Sequence, residues 1–174
     1  MSTLAHFSHF LPRQLMEKMA YVVDFQAFKS LSNEFILKEM AIVSVHTSTI
    51  HHFSVKPTFP LRCELKKRVE YIKANIHNIP WVYGDIEIEK ALDYLNDVLK
   101  DATIVYVKGS ERAEYLRKNI IGNVKVIDLD KLGCPQARFL PSTLLQVCMY
   151  SGHYRTNYRC ALKNAQKYKQ WLLL

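Results

Sequence analysis

Between residues 21 and 55 the apolar positions fall into three short blocks, and from residue 62 their spacing becomes helical. Residues 21–28 (YVVDFQAF) form an apolar run broken by Asp24 and Gln26, which predicts a buried strand carrying a carboxylate. Residues 35–45 (FILKEMAIVSV) and 50–55 predict a second and a third strand, the latter stopped by Lys56-Pro57. Residues 62–76 (RCELKKRVEYIKANI) alternate apolar and charged positions with helical period. A connector over 77–85 with Pro80 and Gly84 follows, and Asp85 is placed to cap a helix over 86–99. Residues 102–107 (ATIVYV) predict a central strand buried on both faces. Ser110 then opens a helix to about Ile120, and 124–127 predicts a fifth strand. Two further helices are expected, over 142–150 after Pro141 and over 160–172.

The order is β-β-β-α-α-β-α-β-α-α. It predicts an α/β fold with a mixed five-stranded sheet, three antiparallel strands first, and helices on both faces. The 174 residues suit one domain, with residues 1–19 as a short extension. No apolar stretch is long enough for a bilayer span, and the first twenty residues show no signal-peptide core. An intracellular protein with no membrane partner is expected, its four cysteines reduced.

Charge changes the picture. The chain carries a formal +8, yet no acidic residue follows Asp130, while seven basic ones do. The excess is interleaved with Tyr150, Tyr154, Tyr158, Tyr168 and Trp171, so phosphates can meet cations while bases stack on rings. Lys108, Arg155, Arg159, Lys163, Lys167, Tyr154 and Tyr158 are the candidate contacts to RNA or single-stranded DNA. A solvated basic helix face with its aromatics in the core fits the same pattern.

The strand that delivers Asp24, followed two residues on by Gln26, resembles the opening of the ribonuclease-H-like exonucleases that hold metal with four acids. Residues 75–81 (NIHNIPW) resemble the "His-Gly-Ile" connector of that superfamily. Residues 105–116 (VYVKGSERAEYL) resemble its second motif, with Arg112 on the acid's position between Glu111 and Glu114. His153 and Cys160-Ala161-Leu162 resemble the last motif, with Cys160 where an Asp belongs. The resemblance covers about residues 20–172 and implies a nuclease fold. If the protein is active, it implies a 3′–5′ exonuclease or RNA endonuclease using Mg²⁺ or Mn²⁺ on Asp24 and Glu111. Gln26, a neutral amide, is a poor replacement for a metal-binding carboxylate. A two-metal mechanism needs several acids, so the resemblance points to chemistry changed or lost.

Cys148-x4-His153-x6-Cys160 puts two thiols and an imidazole within thirteen residues, a donor set for tetrahedral Zn²⁺. The fourth ligand is open between Cys134, Glu111, Glu114 and Asp24. Two buried structural cysteines and a hydrogen-bonded histidine fit the same residues. The Cys-His-Cys order also resembles the Maelstrom-type domains, an exonuclease-like fold with a Glu-Cys-His-Cys zinc set. That likeness implies a structural zinc and an RNA-associated role, in RNA silencing or mobile-element biology.

His51-His52, in a strand, read as structural, as does Cys63. Lys108-Gly109-Ser110 has part of a phosphate-loop pattern without the full motif. Three functions follow as expectations: a zinc-stabilised pseudo-nuclease that binds nucleic acid, a working metal-dependent nuclease, and a protein-interaction scaffold.

Overall fold

The computed structural model describes residues 19–142, 147–154 and 157–174. Five strands form one mixed sheet: β1 (Ala20–Lys29), β2 (Phe35–Ser44), β3 (Ile50–Ser54), β4 (Ile104–Val107) and β5 (Lys125–Asp128), in the order β3-β2-β1-β4-β5. β1, β2 and β3 pair antiparallel, whereas β4 runs parallel to β1 and β5 parallel to β4. β1 is therefore central, which is why its sequence is apolar on both faces. The helices are α1 (Cys63–Ile72), α2 (Ile88–Leu99), α3 (Ser110–Asn119) and α4 (Ala161–Leu172).

The strand period of two sorts the side chains. Val23 and Phe25 of β1, with Met40 and Ile42 of β2, pack against Ala91, Leu95 and Leu99 of α2 and Ala113 and Leu116 of α3. Val22, Ala41 and Val43 face the other way, onto Ala161, Leu162, Ala165 and Tyr168 of α4. Alternation then places Asp24 and Gln26 on the α4 side, and Glu39 beside them, since Asp24 pairs with Ala41 and Gln26 with Glu39. A bulge after Gln26 ends that regular register. Phe28, Leu65, Val69 and Trp81 close a third, smaller core under α1.

Several boundaries differ from the sequence expectation for local reasons. Asp85 does not cap α2; its carboxylate accepts from Ser54 Oγ (2.6 Å), and the helix starts two residues after Ile86, which bridges to Val55. Gly84 has φ +148°, and a Cβ there would lie 2.3 Å from the Val55 carbonyl, so only glycine permits this close passage. α1 is shorter than expected and runs into a π-helical turn, Lys73–His77, closed by Asn78 in the left-handed region. The helix expected over 142–150 is not seen where the chain is described: residues 147–150 are irregular, and 143–146 lie outside the described residues.

Candidate metal centre and the Asp24 site

Glu39, Cys148, His153 and Cys160 converge on the α4 side of the sheet, each offering one ligand atom within 4.8 Å of the others. Glu39 Oε1 lies 3.4 Å from Cys148 Sγ, 3.6 Å from Cys160 Sγ and 3.6 Å from His153 Nδ1, and Cys148 Sγ lies 3.4 Å from His153 Nδ1. All four residues are buried. Glu39 comes from the middle of β2 and Cys160 from the residue that caps α4. Cys148 and His153 sit in an irregular stretch, His153 at the end of a short 3₁₀ turn.

That stretch is held in place by the connector after α1. His153 Nε2 donates to the His77 carbonyl (2.5 Å), Tyr150 Oη to the Asn78 carbonyl (2.7 Å), Asn78 Nδ2 to the Gly152 carbonyl (3.3 Å), and the Arg159 amide to the Ile76 carbonyl (2.8 Å). A carbonyl only accepts, so Nε2 carries a proton and Nδ1 is the nitrogen facing the cluster. This is the outer-shell arrangement that fixes a metal-binding imidazole. Glu39 is oriented in the same manner. Its Oε2 accepts from the Ala161 amide in the first turn of α4 (2.9 Å), leaving Oε1 toward the thiols, where His52 Nε2 also reaches it (2.8 Å).

Burial pushes the Glu39 carboxyl up, but hydrogen bonds from His153 and His52 outweigh it and hold the group well below the carboxylate range. Burial pulls the His153 imidazole down, yet its bonds to Cys160 and Glu39 raise it to about 10. The Cys160 thiol is pushed far up by its bond to Cys148 and by burial. Two sulfurs, an imidazole nitrogen with its second nitrogen satisfied, and an anchored carboxylate oxygen form a set that can hold a metal ion.

The fourth member is Glu39, which is none of the four residues raised from the sequence. Cys134 Sγ instead contacts the Pro135 carbonyl (3.5 Å). Glu111 is exposed and bonds Lys29 (2.8 Å), and Glu114 pairs with Arg117 and Lys118 on the surface of α3. A signal for Glu39 was present. Lys38-Glu39 interrupts a run of ten residues that is otherwise apolar up to Ser44, and buried charges demand partners. Lys38 meets that demand by donating to the carbonyls of Trp81 and Tyr83.

Asp24 forms a second buried site. Its Oδ1 accepts from Arg112 Nη1 (2.7 Å), and its Oδ2 from Asn164 Nδ2 (3.1 Å) and Gln26 Nε2 (3.2 Å). Burial nevertheless raises the Asp24 carboxyl to about 6, because Arg112 and the amides only partly offset it. Arg112 stands beside Asp24. Cys160 does not: one turn further along α4, Asn164 is the residue that meets Asp24, and Cys160 turns toward Glu39.

The expected nucleic-acid contacts are divided. Lys108 bonds Asp130 and the Cys134 carbonyl (2.6 Å to the latter), Lys163 the His153 carbonyl, and Lys167 the Ala137 carbonyl (3.0 Å), so these ammonium groups brace the fold. Tyr154 and Arg159 are exposed, Tyr158 is half-buried, and Arg155 lies outside the described residues. The Gly109 amide donates to Asp128 Oδ1 (2.9 Å), so the chain's own carboxylate sits where a phosphate loop would bind its anion. His51 bonds Tyr94 (2.6 Å), a structural role, whereas His52 joins the metal-type cluster through Glu39. Cys63 is exposed at the start of α1.

Among the described residues no helix is long and apolar enough to cross a membrane. No protein-family model and no curated relative matches this chain.

Proposed function

We propose that this chain is a ribonuclease-H-like, exonuclease-type domain that has exchanged hydrolysis for a structural zinc and binds single-stranded nucleic acid, RNA foremost. The observation that carries the reading is the cluster of Glu39, Cys148, His153 and Cys160. Their chain order, Glu-Cys-His-Cys, is the zinc set of the Maelstrom-type domains that the sequence resembles, and the donors suit tetrahedral zinc. Zinc bound there would tie β2, the cap of α4 and the irregular stretch between them into one unit. Three antiparallel strands followed by two parallel ones, with Asp24 on the central strand, agree with the same reading.

Loss of hydrolysis is supported at Asp24, whose carboxylate is engaged by Arg112, Asn164 and Gln26 rather than by further acids. Nucleic-acid binding is supported by the charge of +8 and by exposed cations next to rings. Arg138 lies over Phe139 (4.7 Å), a ring 69% exposed, and Tyr154 and Arg159 are exposed beside the cluster.

Elemental analysis of natively purified protein tests the metal, and anisotropy of a short fluorescent RNA across a salt series tests the binding. One zinc per chain, lost in Cys148→Ser and Cys160→Ser, with salt-sensitive binding and no Mg²⁺-dependent cleavage, is the expected outcome. Cleavage that depends on Mg²⁺ or Mn²⁺ and vanishes in Asp24→Ala would instead establish a working nuclease. A scaffold function has one observation in its favour, an apolar groove of about 340 Å³ lined by Leu140, Pro141, Trp171, Leu173 and Leu174. Salt-insensitive RNA binding, or none, would move the weight to it.

A further inference from the structure

The apolar groove at the end of α4 differs in make-up from the surface around it. Leu140 and Pro141 line it together with Trp171, Leu173 and Leu174, around about 340 Å³. Leu140 and Trp171 pack on the core beneath, so the groove has a fixed floor, whereas Leu173 is 54% exposed and Leu174 fully so. Adjacent exposed apolar side chains of this kind mark an interaction surface. The cations beside it are held in an uncommon way. Lys29, Lys56 and Lys108 each face a carboxylate, of Glu111, Glu87 and Asp130. Lys167, which lines the groove, instead donates to the Ala137 carbonyl (3.0 Å), and Arg138 lies over the Phe139 ring. Neither chain segment that forms the groove, 137–141 or 161–174, contains an acidic residue. A carbonyl positions an ammonium group without cancelling its charge, so the apolar seat keeps a positive rim.

We propose that this groove docks an acidic amphipathic helix of a protein partner, whose apolar side chains seat on Leu140, Trp171 and Leu173 while its carboxylates meet Lys167 and Arg138. A helix delivers both from one face, an apolar stripe with charged positions along its flanks. The lining favours side chains over bases: Leu140, Pro141, Leu173 and Leu174 are aliphatic, and base stacking needs aromatic rings. The volume lies at the small end of ligand-sized pockets, roughly 300–1,000 Å³, which suits a few anchoring side chains. Trp171 and Arg138 are of the residue types that carry most interface energy. None of these residues belongs to the Glu39 cluster or the Asp24 site. The inference therefore holds whether or not the chain binds RNA or zinc.

The test titrates the full chain, as purified, into a fluorescein-labelled helical peptide of about 18 residues with Leu at i, i+3, i+4 and i+7 and Glu on both flanks. Two control peptides carry Lys for every Glu, or Ser for every Leu. Anisotropy reads the affinity, and the indole N–H resonances of the two tryptophans read the place. The acidic peptide is expected to bind in the micromolar range, several-fold more weakly at about 300 mM salt than at about 50 mM. Neither control should bind. The Trp171 resonance should shift while that of Trp81 stays, since its indole donates to the Phe59 carbonyl (3.3 Å) under α1. Leu173→Asp should weaken binding about tenfold or more and Arg138→Glu about threefold, both at exposed positions. No binding of the acidic peptide, equal binding of the Ser control, or affinity unchanged in Leu173→Asp overturns the proposal. Displacement of the peptide by single-stranded RNA also overturns it and assigns the groove to nucleic acid. If Leu173→Asp does not fold, the native chain decides: a shift at Trp171 supports the groove, and a shift at Trp81 alone refutes it.

Discussion

Gln26 and Glu39 face each other across the β1–β2 pair, and they separate two chemistries on one side of the sheet. Gln26 belongs to the oxygen-rich set around Asp24, and Glu39 to the sulfur-rich set at the cap of α4. Because the two residues are locked in register, neither site can shift along the strands without the other.

Replacing Glu39 with Gln keeps the shape and removes the charge. The expected result is loss of zinc from the purified protein and a thermal midpoint lower by roughly 6–12 °C if about 3 kcal/mol of metal-linked stability goes with it. Elemental analysis beside a melting curve checks this. Full zinc occupancy in Glu39→Gln would remove Glu39 from the ligand set.

His52 reaches Glu39 Oε1 at 2.8 Å and Cys148 Sγ at 3.9 Å without belonging to the four donors. His52→Phe should retain zinc at saturation but weaken its binding about 10- to 100-fold, as outer-shell substitutions do. Competition against a chromogenic chelator measures that ratio, and an unchanged ratio would leave His52 a packing residue.

Zinc binding should be strongly pH-dependent, and the sign follows from the cluster. Without metal, His153 is held protonated up to about 10 and the Cys160 thiol is kept neutral. Ligation must expel these protons, so affinity rises with pH throughout the neutral range. Calorimetry in buffers of different ionisation enthalpy should report about two to three protons released per zinc. Release of none would contradict thiol and imidazole ligation.

Asp24 predicts a trend of opposite sense in folding stability. Its carboxyl is raised from 3.8 to about 6 in the folded chain, so between those values the native state holds a proton that the unfolded state has lost. The stabilisation is complete below the unfolded value and disappears as pH rises through the folded one. Urea denaturation of the native chain and Asp24→Asn from pH 4 to 7 isolates this term by subtraction. The difference should fall with rising pH by up to ~3 kcal/mol. A flat difference would mean that Arg112 fully compensates the carboxylate.

The strands were readable because β1 and β2 are buried on both faces and leave long apolar runs. Cys148, His153 and Cys160 were readable as a set by donor type and spacing. Glu39 was not, because it lies more than a hundred residues earlier and only antiparallel pairing and the docking of α4 bring it to them. Asn164, one helical turn along α4 from Cys160, is the residue that meets Asp24, because Cys160 at the cap turns toward Glu39. Lysines counted as a nucleic-acid surface turned out to reach carbonyls, a role that charge patterning along a chain does not separate from a solvated one.

The π-helical turn after α1 spends an extra residue and then aims the carbonyls of Ile76, His77 and Asn78 at the stretch that carries Cys148 and His153. Those three grips use main-chain oxygens, which every amino acid supplies. Residues 73–76 are therefore free to drift in identity, while the number of residues between Ile72 and Ile79 is not. A single deletion there would turn all three carbonyls away at once. The constraint on this junction is therefore one of length rather than of residue identity.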